Sequence, residues 1–151
     1  MSASVHTDPF RLDERVVYLA GAGSFGRAVG PVLAQRGARV FVVDLDPVAV
    51  EDLVASIRSA GGEAEGQPAD LGEAGAVGRT FEALDGVFGR VDIVPNLSGG
   101  NPRIGKQIAA AMPDARLVII PGAGHNPMWE KQADFDREVL AFLRAEPQAM
   151  V

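Results

Sequence analysis

Cysteine is absent from this 151-residue chain, which excludes disulfides, cysteine-ligated zinc and thiol catalysis and makes an intracellular compartment the plain expectation. Basic clusters are absent as well. Lysine and arginine number 14 against 20 aspartates and glutamates, a formal net charge of -6. An acidic surface repels phosphate backbones, so nucleic acid is not an expected partner. A dinucleotide is still compatible with that charge, because backbone amides rather than lysines can hold its pyrophosphate. No apolar run approaches the ~18–20 residues that cross a bilayer, and the first ten residues carry no basic, apolar leader. The expectation is a soluble cytoplasmic protein with no membrane partner. Histidine is scarce: His6 lies near the start and His125 in a Gly-rich stretch. Asp114, Glu130 and Asp134 are too scattered to make a metal cage, so no metal site is expected.

What is present suits a single globular domain. Apolar residues make up 47% of the chain and glycine a further 18 positions, far from the composition of a disordered segment. The length matches one sheet covered on both faces. Residues 1–11 read as an untethered arm, 12–145 as one domain and 146–151 as a frayed tail.

Periodicity predicts strands alternating with helices. Val16–Ala20 is an apolar run that leads into Gly21-Ala22-Gly23-Ser24-Phe25-Gly26, and a helix follows to about Arg36, where Gly37 ends it. Pro31 falls inside that helix, a position that costs roughly 3 kcal/mol or bends the axis. Arg39–Val43 is a continuous β-branched and aromatic run of the kind buried on both faces. Asp46 then caps a helix with Pro47 at its first position, and Gly61-Gly62 stops it. Ala64–Ala69 reads as an edge strand, since Pro68 cannot donate to a ladder. Glu73–Phe88 is predicted as a helix, Val91–Val94 as a fourth strand and 102–112 as a helix. Leu117–Ile120 is predicted as a fifth strand, and a last amphipathic helix carries Phe135, Val139, Phe142 and Leu143. Short connections and right-handed crossovers imply a three-layer, doubly wound, Rossmann-like α/β fold with a parallel five-stranded sheet in the order 3-2-1-4-5.

The turn after the first strand carries the chemistry. Gly21 permits a sharp exit from the strand, Gly23 leaves room for a pyrophosphate to reach backbone N–H groups, and Gly26 lets helix and sheet approach. The helix N-terminus offers amides that have no intrahelical partner. Asp44, at the end of the next strand, is placed to accept hydrogen bonds from ribose hydroxyls. A carboxylate there repels a 2′-phosphate and no arginine follows it directly, so NAD is favoured over NADP.

Residues 12–100 resemble a short-chain dehydrogenase/reductase. The resemblance is carried by Gly21 to Ala28, by Gly37-Ala38-Arg39-Val40-Phe41-Val42-Val43-Asp44, by Asp70-Leu71, and by Gly89-Arg90-Val91-Asp92-Ile93 leading to Asn96-Leu97-Ser98-Gly99. It implies that Ser24 and Phe25 belong to the phosphate turn, that Asp70 and Leu71 lie against adenine, and that Asn96, Leu97, Ser98 and Gly99 flank the cofactor. The turn is one glycine shorter than the family's usual form. The family's tyrosine followed four positions later by lysine is missing, since the chain has one tyrosine, Tyr18, and its lysines are Lys106 and Lys131. From about residue 112 to 145 the chain resembles instead the C-terminal end of an α/β-hydrolase, with His125 in the place of the general base. Such an enzyme would need a triad of the order Ser24, Asp92, His125, but Asp92 begins its strand while the other two follow theirs.

Three functions stay open at this point. One is an NAD-dependent oxidoreductase acting on a small carbonyl or alcohol, with Ser98 or His125 polarising the substrate. Another is an ester or acyl hydrolase that uses His125. The third is a nucleotide-binding or scaffold domain without turnover.

Overall fold

The computed structural model describes residues 10–96, 102–112, 115–124 and 126–144, with side chains as far as Phe142 in the last helix. Three parallel strands form its sheet: β1 (Val16–Ala20), β2 (Arg39–Asp44) and β3 (Glu63–Pro68), with β2 in the middle. Val17 pairs with Val40, and Val40 with Ala64. The segment 91–96 runs along the other edge of β1, where Val17 bridges Ile93 and Ala20 bridges Asn96, both parallel.

Alternation along each strand sends side chains to two cores. Val17, Leu19, Val40 and Val42 face α1 (Ser24–Gln35) and α2 (Pro47–Ser59), packing with Val50, Leu53 and Ile57. Val16, Tyr18, Phe41 and Val43 face α3 (Ala76–Phe88) and α4 (Pro102–Ala111), packing with Val77, Leu84, Phe88 and Ile104. Helices thus cover both faces, which is why β1 and β2 read as unbroken apolar runs. The α/β class is the one expected from the sequence.

Local signals hold where they act locally. The Asp46 carboxylate accepts from the Val48 N–H at 2.9 Å, with Pro47 opening α2. Pro31 sits inside a continuous α1, next to Gly30. A side chain at Gly30 would crowd Leu19, Leu53 and Ile57 at 3.2–3.4 Å, so the glycine there serves close packing against the sheet and α2.

Three predicted elements differ. In place of the predicted fourth strand Val91–Val94 the chain makes only isolated bridges to β1, at Ile93 and Asn96, so the described sheet has three strands rather than five. α3 begins at Ala76 rather than Glu73, because its N-cap Gly75 is left-handed, with φ 75°. The predicted fifth strand Leu117–Ile120 does not form: residues 115–120 pair with no strand among the described residues. A parallel strand needs cover on both faces. Here α4 approaches one side, through Gly105 beside Leu117. Beyond the four-residue α5 (Pro127–Glu130), α6 (Gln132–Arg144) packs on α5. Among the described residues from 115 onward none is buried, so the core ends with α4. No helix among the described residues is long and apolar enough to cross a membrane.

Candidate functional site

β1 delivers the chain to the carboxyl end of the sheet. Gly21 turns it there with φ 114°, and its N–H donates to the Val43 carbonyl at 2.8 Å, tying the turn to β2. Gly23 is the N-cap of α1, and no side chain caps that end. A Cβ on Gly26 would sit 2.0 Å from the Gly21 carbonyl oxygen, so α1 starts in direct contact with the strand exit. A Cβ on Gly23 would meet nothing within 4 Å. The three glycines therefore divide the work of turning, opening and close approach. Ser24 and Phe25 occupy the first turn of α1 and both are exposed, Phe25 to 71%.

Asp44 closes the turn from the side. One carboxylate oxygen accepts from the Ala22 N–H at 2.7 Å and the other from the Asp46 N–H at 3.0 Å. Each oxygen keeps a lone pair for a further donor. Next along the sheet edge, the Ala69 N–H donates to the Asp44 carbonyl at 2.8 Å, which sets Asp70 beside β2. Asp70 is exposed, whereas the Leu71 side chain is buried in the core with α3 and α4. Leu71 thus has its main chain, not its side chain, left for a ligand. Asn96 ends the segment that bridges to Ala20. Gly21, Gly23, Gly26, Asp44, Asp70 and Asn96 therefore share one end of the sheet. Leu97, Ser98, Gly99 and His125 lie outside the described residues.

The fate of Tyr18 bears directly on catalysis. Its ring is fully buried on β1 against Phe81, and its hydroxyl lies 2.7 Å from Thr80 Oγ1, which in turn donates to main-chain carbonyls of α3. Burial pushes the phenol up to about 12, against a smaller lowering effect of the hydrogen bond it shares with Thr80. This group cannot exchange protons with a substrate. Its folded pKa lies above the unfolded value near 10, so the stability it contributes is fully present below pH 10 and is lost as pH rises through 12. By linkage the loss is on the order of 2–3 kcal/mol. Urea titrations between pH 9 and 12 should show that slope in the native protein and its disappearance in Tyr18→Phe. A phenolate absorbance that rises near pH 10 with tertiary structure intact would contradict it. No sequence spacing points to Thr80; its one signal is a hydroxyl among the apolar residues of α3.

Asp92 sits at the opposite end of the sheet. Its carboxylate accepts from the Val16 N–H at 2.9 Å and pairs with Arg15 and Arg90. Burial alone would raise its pKa, but the Val16 N–H and the two guanidiniums outweigh that and hold it below the usual carboxylate range. β1, on the order of 15 Å long at ~3.3 Å per residue, separates Asp92 from Ser24. A triad drawing on both is ruled out. Beyond Asn96 a cleft of about 560 Å³ opens, lined by Leu117, Ile119, Phe135, Val139 and Phe142 among others.

Comparison with known proteins agrees with this geometry. A profile described as short chain dehydrogenase matches residues 14–117. D-threitol dehydrogenase of Mycolicibacterium smegmatis is 36% identical over 91 residues, 60% of this chain and 35% of that protein. The 2,3-dihydro-2,3-dihydroxybenzoate dehydrogenase of Bacillus subtilis is 30% identical over 89 residues, covering 58% and 34%. The chain therefore spans about a third of the length of these curated relatives. Among solved structures, hydroxysteroid dehydrogenase from Escherichia coli superposes with a TM-score of 0.58 at 28% identity, covering 61% of this chain and 39% of that one. NAD+-bound xylitol dehydrogenase superposes with a TM-score of 0.57 at 29% identity, covering 59% and 35%. The glycine turn, the carboxylate beside it and a match over most of the described core together place this chain in the short-chain dehydrogenase family.

Proposed function

We propose that this chain binds NAD across the Gly21–Gly26 turn and serves an oxidoreductase that acts on a small carbonyl or alcohol. The observation that carries the reading is the pairing of an open Gly23 with an Asp44 carboxylate anchored on the Ala22 N–H. Bound NAD would supply hydride chemistry at its nicotinamide ring. The residues of this chain would do the holding. Amides of Gly23, Ser24, Phe25 and Gly26 at the uncapped start of α1 would receive the pyrophosphate. Asp44 would accept from the ribose hydroxyls and repel a 2′-phosphate, which favours NAD over NADP. Asp70 and the Leu71 main chain would flank adenine, and Asn96 would border the nicotinamide end together with Leu97, Ser98 and Gly99.

A second reading, nucleotide binding without turnover, is favoured by one observation: Tyr18 is locked in the core. Ser98 and His125 are the remaining candidates for polarising a substrate. The hydrolase reading loses support from the position of Asp92 at the far end of β1.

Calorimetric titration with NAD and NADP tests the proposal. NAD is expected to bind the unmodified chain, and Asp44→Asn, which keeps one acceptor but removes the charge, is expected to narrow the NAD-over-NADP preference about ten-fold. Absence of NAD binding at millimolar concentration would refute the cofactor assignment. Turnover over a panel of carbonyls and alcohols separates the two readings.

A further inference from the structure

We propose that Gln107 is a positioning residue for adenine recognition, acting on Asp70 through the single peptide unit Leu71–Gly72. The inference rests on the NAD reading above, since it assigns Asp70 to the adenine end of that site.

The connection is a chain of two hydrogen bonds across one peptide. Gln107, half-buried on α4, donates from Nε2 to the Leu71 carbonyl at 3.1 Å. At the other end of the same peptide, the Gly72 N–H donates to Asp70 Oδ1 at 2.8 Å. A peptide is planar and rigid, so fixing its carbonyl fixes the direction in which its N–H points. Polarising the carbonyl also strengthens that N–H as a donor. Gln107 thereby holds one oxygen of the exposed Asp70 and leaves Oδ2 for a ligand donor. In adenine the matching group is the 6-amino nitrogen.

The other half of the amide is informative. Gln107 Oε1 is buried and accepts from no described residue. The amide cannot be reversed, because its oxygen would then face the Leu71 carbonyl oxygen. For stability alone the balance is small: an apolar chain of similar length removes the unsatisfied Oε1 but leaves the part-buried Leu71 carbonyl without its donor. What such a replacement removes without compensation is control of the Leu71–Gly72 peptide.

The test is a double-mutant cycle on Gln107→Met and Asp70→Ala. Affinities are measured for NAD and for nicotinamide hypoxanthine dinucleotide, which lacks the 6-amino group. The unmodified chain is expected to prefer NAD. Gln107→Met is expected to lower that preference about five-fold, with a melting temperature close to that of the parent. In the Asp70→Ala background the same substitution should change the preference no further, because the two residues act in series. Gln107→Met with an unchanged preference, or with the same effect in both backgrounds, would overturn the inference. So would equal binding of the two dinucleotides by the parent. Failure of the parent to bind either dinucleotide would instead refute the NAD reading itself.

Discussion

Gly26→Ala is expected to cost about 3–5 kcal/mol of folding stability, the range of a severe core defect. The added methyl would lie 2.0 Å from the Gly21 carbonyl oxygen and 2.9 Å from its carbon. Both atoms are backbone, and both belong to a residue already committed to φ 114° and to a hydrogen bond with Val43. Nothing flexible can yield. Relief requires moving α1 away from the sheet, which opens its packing at Gly30 as well. Gly30→Ala provides the control: its Cβ would meet side-chain ends at 3.2–3.4 Å, groups that can shift, so about 1–2 kcal/mol is expected. A domain of ordinary stability, 5–15 kcal/mol, should survive the second change and be marginal after the first. Urea unfolding followed by circular dichroism measures both. A Gly26→Ala protein within about 1 kcal/mol of the parent would mean that α1 does not begin where it is described.

That contact also shows what the sequence made legible. β1, the turn and α2 follow from signals that operate over a few residues: an unbroken apolar run, glycines at fixed offsets, and Asp46-Pro47 at a helix start. The parallel sheet follows from the same signals, because strands buried on both faces have nowhere to place polar residues. Legibility fails where the outcome depends on distant cover. Leu117–Ile120 has strand composition, yet Val118 and Ile119 stand 41% and 52% exposed because no described element covers both of their faces. Gly75 shortens α3 by a backbone conformation that helical periodicity does not record. Leu71 reads as a ligand contact by resemblance, but its side chain is drawn into the core by α3 and α4. Gln107 and Thr80 had no spacing signal at all; their roles come from single hydrogen bonds that join segments far apart in the chain.

Gly23→Asp should separate binding from folding more sharply than any other change to the turn. Gly23 has φ -68° and ψ -159°, extended backbone open to every residue, and an added Cβ meets nothing within 4 Å. The position is the N-cap of α1, which at present has no side-chain cap. Aspartate is among the best residues there: its carboxylate accepts from the free amides of the first turn and opposes the positive end of the helix dipole. The melting temperature is therefore expected to hold or to rise slightly. The amides that stabilise this carboxylate are the ones assigned to the pyrophosphate, and the added charge repels it. NAD affinity is expected to fall by about 100-fold or more. Gly23→Ala, which adds volume without charge or cap, should lie between the two in affinity and slightly below the parent in stability. Calorimetric titration with NAD beside a thermal melt of each variant gives both readouts. Undiminished NAD binding by a folded Gly23→Asp protein would place the phosphates elsewhere, because one set of amides cannot serve a capping carboxylate and a pyrophosphate at once.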